Sequence, residues 1–204
     1  MLCRHHKFVR FLGLATALIT PFAYAGQDVD LTAQIVASTC QVEVSNNGVV
    51  DLGTVTLDYF ADNVTPTTDY AGGKTFNVNV VSCDNIQTTQ SQMKLDFQPQ
   101  AGSLAQANNQ IFSNEYEQQA TGAKNVGIVI FSAQPNQQTF NVRGTDGSST
   151  AIYSVAPGNA VPSTWTFYSR MQRVNNALPP ESGMVRSQVL MNPLMIFIKI
   201  IKLR

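Results

Sequence analysis

The sequence predicts an all-β protein built as an antiparallel sandwich, and three observations lead there. Most segments between positions 28 and 191 alternate apolar and polar residues with a period of two, as strands with one buried face do. Turn formers separate them: Asn46-Asn47-Gly48, Gly72-Gly73, Asp146-Gly147, Pro157-Gly158 and Pro179-Pro180. No stretch of this region repeats apolar residues at helical spacing between caps. About seven short strands joined in this way indicate an antiparallel sandwich.

The elements follow in chain order. Val29, Leu31, Ala33, Ile35 and Ala37 alternate with Asp28, Asp30, Thr32 and Gln34. Val42 and Val44 flank Glu43, and Val49-Val50-Asp51-Leu52-Gly53 precedes Val55 and Leu57. Phe76, Val78 and Val80 alternate with Asn77 and Asn79 just ahead of Cys83. Met93, Leu95 and Phe97 repeat the pattern and stop at Pro99. Residues 98–119, rich in Gln, Asn, Ala and Ser, read as a surface loop or crossover. Residues 126–131 form a continuous apolar run, expected of a strand buried on both faces. Segments 165–171 and 184–191 close the series.

The first 25 residues read as a secretory signal. Arg4, Lys7 and Arg10 give a basic start, residues 11–19 an apolar run, and Ala23-Tyr24-Ala25 a small-x-small cleavage site. That run is too short to span a bilayer, and the apolar stretch at 194–203 is broken by Lys199 and Lys202, so no transmembrane segment is expected. Cys3, His5 and His6 leave with the signal. Cys40 and Cys83 remain, and no histidine does. Histidine triads, histidine-ligated metals and imidazole acid–base chemistry are therefore excluded, and neither metal nor cofactor is expected. In an oxidising compartment Cys40 and Cys83 form one intrachain disulfide closing a 43-residue loop. Chain entropy values such a bridge at roughly 4 kcal/mol; the alternative is two buried thiols.

Without the signal the chain carries ten Lys and Arg against thirteen Asp and Glu, a mildly acidic balance without a basic patch. Nucleic acid is not an expected partner. Nor is an enzyme expected: Glu115 and Glu117 sit on a polar loop where carboxylates are solvated, and no S-x-x-K motif occurs. A single-domain carbohydrate-binding tip adhesin, using Trp165 or loops at Tyr116 and Tyr153, is the alternative to a structural role. Trp165 itself falls in an apolar alternation that suits the core.

An ordered set of motifs narrows the choice. Ala37-Ser38-Thr39-Cys40-Gln41-Val42 is followed by Asp51-Leu52-Gly53 and by Phe76-Asn77-Val78-Asn79-Val80-Val81-Ser82-Cys83. Asn125-Val126-Gly127-Ile128-Val129-Ile130, Trp165-Thr166-Phe167-Tyr168-Ser169-Arg170 and Gly183-Met184-Val185-Arg186-Ser187-Gln188-Val189 come after. In order and spacing the set resembles the chaperone–usher fimbrial subunits of Gram-negative bacteria, of the type 1 pilus kind, from about position 26 to 192. The short extension ahead of Cys40 looks more like a minor or adaptor subunit than a rod pilin.

The resemblance implies an incomplete immunoglobulin-like sandwich that lacks its last strand and is completed by a donor strand from another chain. The implied layout is a signal peptide at 1–25, a donor-strand extension at 26–36, a pilin domain at 37–192 and an atypical tail at 193–204. Val29, Leu31, Ala33 and Ile35 would fill a neighbour's groove, and Val185, Ser187, Val189 and Met191 would form the last-strand surface that receives a strand. Implied partners are a periplasmic chaperone, an outer-membrane usher and neighbouring subunits, with export through the periplasm to a cell-surface fimbrium that serves adhesion. The other reading of the first alternation is an internal first strand of a complete sandwich.

The resemblance stops at Met191-Asn192. Pro193 follows, then an Ile- and Lys-dominated end. Two readings stand: a rearranged terminus, or a bulge at Pro193 after which Leu194, Ile196, Ile198 and Ile200 resume the strand.

Overall fold

The described residues contain ten strands, and every pair among them is antiparallel. The computed structural model describes residues 33–83, 91–100, 103–135, 137–155 and 164–200, with side chains described outside 33–39, 83, 91, 155 and 193–200. All of these residues belong to one unit that begins at Thr32. The expected signal segment, with Val29 and Leu31, lies outside the described residues.

The strands are β1 (Ala33–Val44), β2 (Lys74–Cys83), β3 (Ser91–Pro99), β4 (Leu104–Ala105), β5 (Asn108–Phe112), β6 (Val126–Ser132), β7 (Phe140–Asn141), β8 (Ile152–Val155), β9 (Thr164–Arg173) and β10 (Val189–Ile200). Hydrogen bonding runs in the order β4-β5-β6-β9-β2-β1-β10-β3-β8, with β7 beside β6. β1 belongs to both layers. Its first part, residues 33–39, pairs with the end of β10, and its second, from Cys40, pairs with β2. A register shift between Gln41 and Val42 accompanies the crossing, as a bulge bends a strand from one sheet into the other.

The core lies between the layers. Phe76 and Val78 of β2, Ile130 of β6 and Trp165 and Phe167 of β9 meet Met93, Leu95 and Phe97 of β3 and Tyr153 of β8. Rings interlock across the gap, Phe97 with Phe167 at 4.8 Å between centroids and Tyr153 with Trp165 at 4.2 Å. Aromatic rings bury large areas and dominate core energetics in general. The result is an all-β, immunoglobulin-like arrangement.

Three expectations change. Residues 98–119 are not all surface loop: they supply β4 and β5, and Ile111 and Phe112 are fully buried. A Gln- and Asn-rich composition hid a short hairpin whose polar groups are satisfied internally. Asn108 Oδ1 accepts from Gln110 N, and Gln110 Nε2 donates to Arg143 O. The closing strand begins at Val189 rather than 184, because residues 184–188 divide their backbone bonds among the Asn114 and Glu115 side chains and the backbone of Thr121, Ala123, Glu115 and Gln100 instead of joining one continuous ladder. Pro193 makes no bulge, since the register of β10 against β3 runs unbroken from Val189↔Pro99 to Phe197↔Ser91.

Candidate functional site

The site starts from which way β10 points its backbone. Leu95 N–H donates to Ala151 O at 2.9 Å, so the odd-numbered residues of β3 turn their polar groups toward β8. Their partners Val189, Met191 and Pro193 therefore occupy non-hydrogen-bonded rungs and turn their own groups away from β3. On that far side β1 covers β10 only from Leu194 onward. Among the described residues, the N–H and C=O of Val189 and Met191 face a strand edge that no other strand covers. Pro193 has no N–H to lose there: it sits one residue short of the Leu194↔Thr39 pair, where β1 departs for the other sheet.

Beside this edge runs an apolar groove. Val189 and Met191 form one wall, Val50 and Leu52 the other, and Phe76, Phe97 and Ile130 the floor of a cavity of about 330 Å³. The groove continues past Val185, Arg186 and Gln188 as a further cavity of about 510 Å³. The opposite wall, residues 49–53, contains no strand. It is set by its ends. Asn46, Asn47 and Gly48 all take left-handed backbone angles (φ 54, 53 and 76°), and Gly53 (φ 70°) donates its N–H to Asp51 Oδ1 at 2.9 Å. The Asn-Asn-Gly and Asp-Leu-Gly motifs thus make two turns that hold a strand-length segment away from any partner.

The structure brings all four residues of the expected last-strand surface to the groove: Val185, Ser187, Val189 and Met191. Of the expected donor residues, Ala33 and Ile35 lie on β1, opposite Ile200 and Ile198 of the same chain. Cys40 and Cys83 are direct cross-strand partners at the start of the β1–β2 ladder, and Cys40 is buried.

Sequence reasoning missed what holds the groove's entrance. Asn114 is buried; its amide donates to Ala123 O and Met184 O, both at 2.9 Å, and its Oδ1 accepts from Arg186 N. Glu115 is not a solvated loop carboxylate. Its side chain is 17% exposed, one oxygen accepts from Gln188 N–H, and the other lies 3.8 Å from Arg186 Nε. Glu117 likewise accepts from Asn125 N. Ser187 Oγ donates to Ser113 O. No local motif announces the bonds to residues 184–188, because those partners lie about seventy residues away in the chain.

A second polar centre fixes the loop before β2. Arg170 is fully buried over the Phe131 ring at 5.2 Å, and its guanidinium donates to Thr65 O, Thr68 O and Gln172 Oε1. Gln172 adds a bond to Val64 O, and Arg173 pairs with Asp62. Burial lowers the Arg170 pKa from its ordinary value, with Tyr59 and Tyr168 nearby opposing the shift. The aromatic residues considered for sugar stacking are placed differently from that need. Trp165 and Tyr153 are both in the core, and Tyr116 accepts a bond from Arg186 through its hydroxyl.

A family model and a curated relative agree on what the chain is similar to. Residues 29–192 match the family model described as Fimbrial protein. The chain is 40% identical over 188 residues to the uncharacterized fimbrial-like protein YadK of Escherichia coli K12, covering 91% of this chain and 93% of that protein. A more distant likeness is the crystal structure of the Burkholderia pseudomallei antigen and type I fimbria protein BPSL1626. It has 16% identity and a TM-score of 0.35 over 82% of this chain and 99% of that one.

Proposed function

Since the chain belongs to the fimbrial protein family, we propose that it is a structural subunit of a chaperone–usher fimbria that polymerises by donor-strand exchange and contributes to adhesion at the cell surface. The observation that carries this reading is the uncovered edge at Val189 and Met191 above an apolar groove. A strand laid there gains ladder hydrogen bonds from the edge and places alternate side chains on the groove floor. Such an edge is also an aggregation hazard, which gives a periplasmic chaperone its task and an outer-membrane usher its substrate. Residues 26–36, with Val29, Leu31, Ala33 and Ile35 on one face, are the matching donor for a neighbouring subunit.

The adhesin alternative loses support with Trp165 and Tyr153 in the core. Pairing of Cys40 with Cys83 is supported by their direct register. Free-thiol labelling of the unfolded, unreduced chain lacking residues 1–25 then finds no thiol, and two labelled thiols per chain overturn the bridge.

Co-expression with a cognate chaperone tests the groove. Val189→Asp places an unpaired charge on the groove wall and abolishes recovery of the soluble complex. Leu190→Asp, at a neighbouring position that is 45% exposed, leaves recovery unchanged. Equal behaviour of the two variants contradicts the reading.

A further inference from the structure

The strand that the proposed function would give to a neighbour is already engaged within its own chain. Residues 33–39 of β1 pair with β10 through seven consecutive rungs, from Ala33↔Ile200 to Thr39↔Leu194. The β10 residues that receive them, 194–200, lie beyond the end of the family match at 192. The β10–β3 pairing ends at Phe197↔Ser91, so residues 198–200 pair in the described ladders with β1 alone. Ala33, Gln34, Ile35 and Val36 thus belong both to the donor segment and to this internal ladder. The segment cannot lie beside its own β10 and in a neighbour's groove at once.

From this juxtaposition we propose that the C-terminal extension of β10 is an intramolecular clasp that holds the donor segment in cis and competes with its transfer to a second copy of the chain. The proposal rests on the donor-strand reading above. Geometry places the clasp in line with the groove. β1 runs antiparallel to β10 and ends, on this edge, one residue from Pro193, where the uncovered stretch containing Met191 and Val189 begins. An incoming antiparallel strand on that stretch would meet Thr39 end to end.

The parity of β10 selects the variants. Odd residues of β10 turn toward β1, so Lys199↔Gln34 is a hydrogen-bonded rung and Ile196↔Ala37 is a non-bonded one. In the full-length exported chain, Ala37→Cys with Ile196→Cys forms an intrachain crosslink, seen as a faster-migrating monomer without reductant. Failure to crosslink within one chain overturns the clasp. Lys199→Pro removes one rung to β1 and lies beyond the β3 pairing, so it opens the clasp without disturbing β3.

Polymerisation after chaperone release is then compared for the full chain, Lys199→Pro and a chain ending at Asn192. The two opened chains assemble at least about tenfold faster, the equivalent of one or two net ladder hydrogen bonds. Assembly of Lys199→Pro at the rate of the full chain overturns the clasp and leaves donor-strand exchange standing. Polymer from none of the three, with the cis crosslink present, overturns donor-strand exchange and the clasp's regulatory role together, while the internal ladder itself stands.

Discussion

Tyr153 shows how one buried residue links core packing to solution behaviour. Its ring packs on Trp165, and its hydroxyl shares a 2.8 Å hydrogen bond with Ser132 Oγ. Burial pushes its pKa up to about 12, although the bond to Ser132 acts in the opposite direction. The folded state therefore holds this proton more tightly than the unfolded chain, where tyrosine titrates near ~10. The stabilisation is complete below that pH and is lost as pH rises toward the folded value, by about 1.4 kcal/mol per unit within the window. Tyr153→Phe should cost about 1 kcal/mol at neutral pH through the lost hydrogen bond. It should also flatten the alkaline decline relative to the parent in urea titrations between roughly pH 8 and 11.5. Parallel pH curves for the two proteins would show that Tyr153 is not the group responsible. Arg170 makes a complementary point. A fully buried guanidinium is tolerated because two loop carbonyls and a glutamine oxygen accept its protons. Sequence alternation placed Arg170 on a strand but gave no hint that it would be internal, because the accepting carbonyls belong to a loop a hundred residues earlier.

At the scale of elements, β10 explains how a proline sits inside a strand. Period-two patterning identified β1, β2, β3, β9 and the start of β10, because one-sided burial leaves a direct mark on sequence, while the doubly buried β6 was marked by its continuous apolar run. It did not find the short strands β4, β5, β7 and β8, and at Pro193 it expected either a rearranged terminus or a bulge before the strand resumed, not an unbroken register. A proline is read as a break because it lacks a donor, yet the cost depends on which side of the strand that donor would face. Here the non-bonded rung with Leu95 turns the nitrogen away from β3, just short of where β1 pairs. Pro193→Val should therefore change stability by less than about 0.5 kcal/mol, as for a site without a lost interaction. Chemical denaturation of the two chains measures the difference. Stabilisation by more than about 1 kcal/mol would mean that a ladder bond is missing after all.

For the whole molecule, the groove arises from two segments that the sandwich leaves apart. Residues 49–53 are held by left-handed turns on one side, and the start of β10 is held by Asn114 and Glu115 on the other. The four positions expected of the last strand all line the groove, although Val185 and Ser187 precede β10, whereas their supports were not legible, being long-range bonds from loop residues. The central claim is that this groove accepts a strand of the kind found at residues 26–36. Amide hydrogen exchange of the chain at Val189 and Met191, with and without a synthetic peptide of residues 26–36, tests it most directly. The account predicts fast exchange at both amides alone and strong protection with the peptide, while a Leu31→Asp peptide protects neither. Protection already complete without the peptide, or unchanged by it, would contradict the claim.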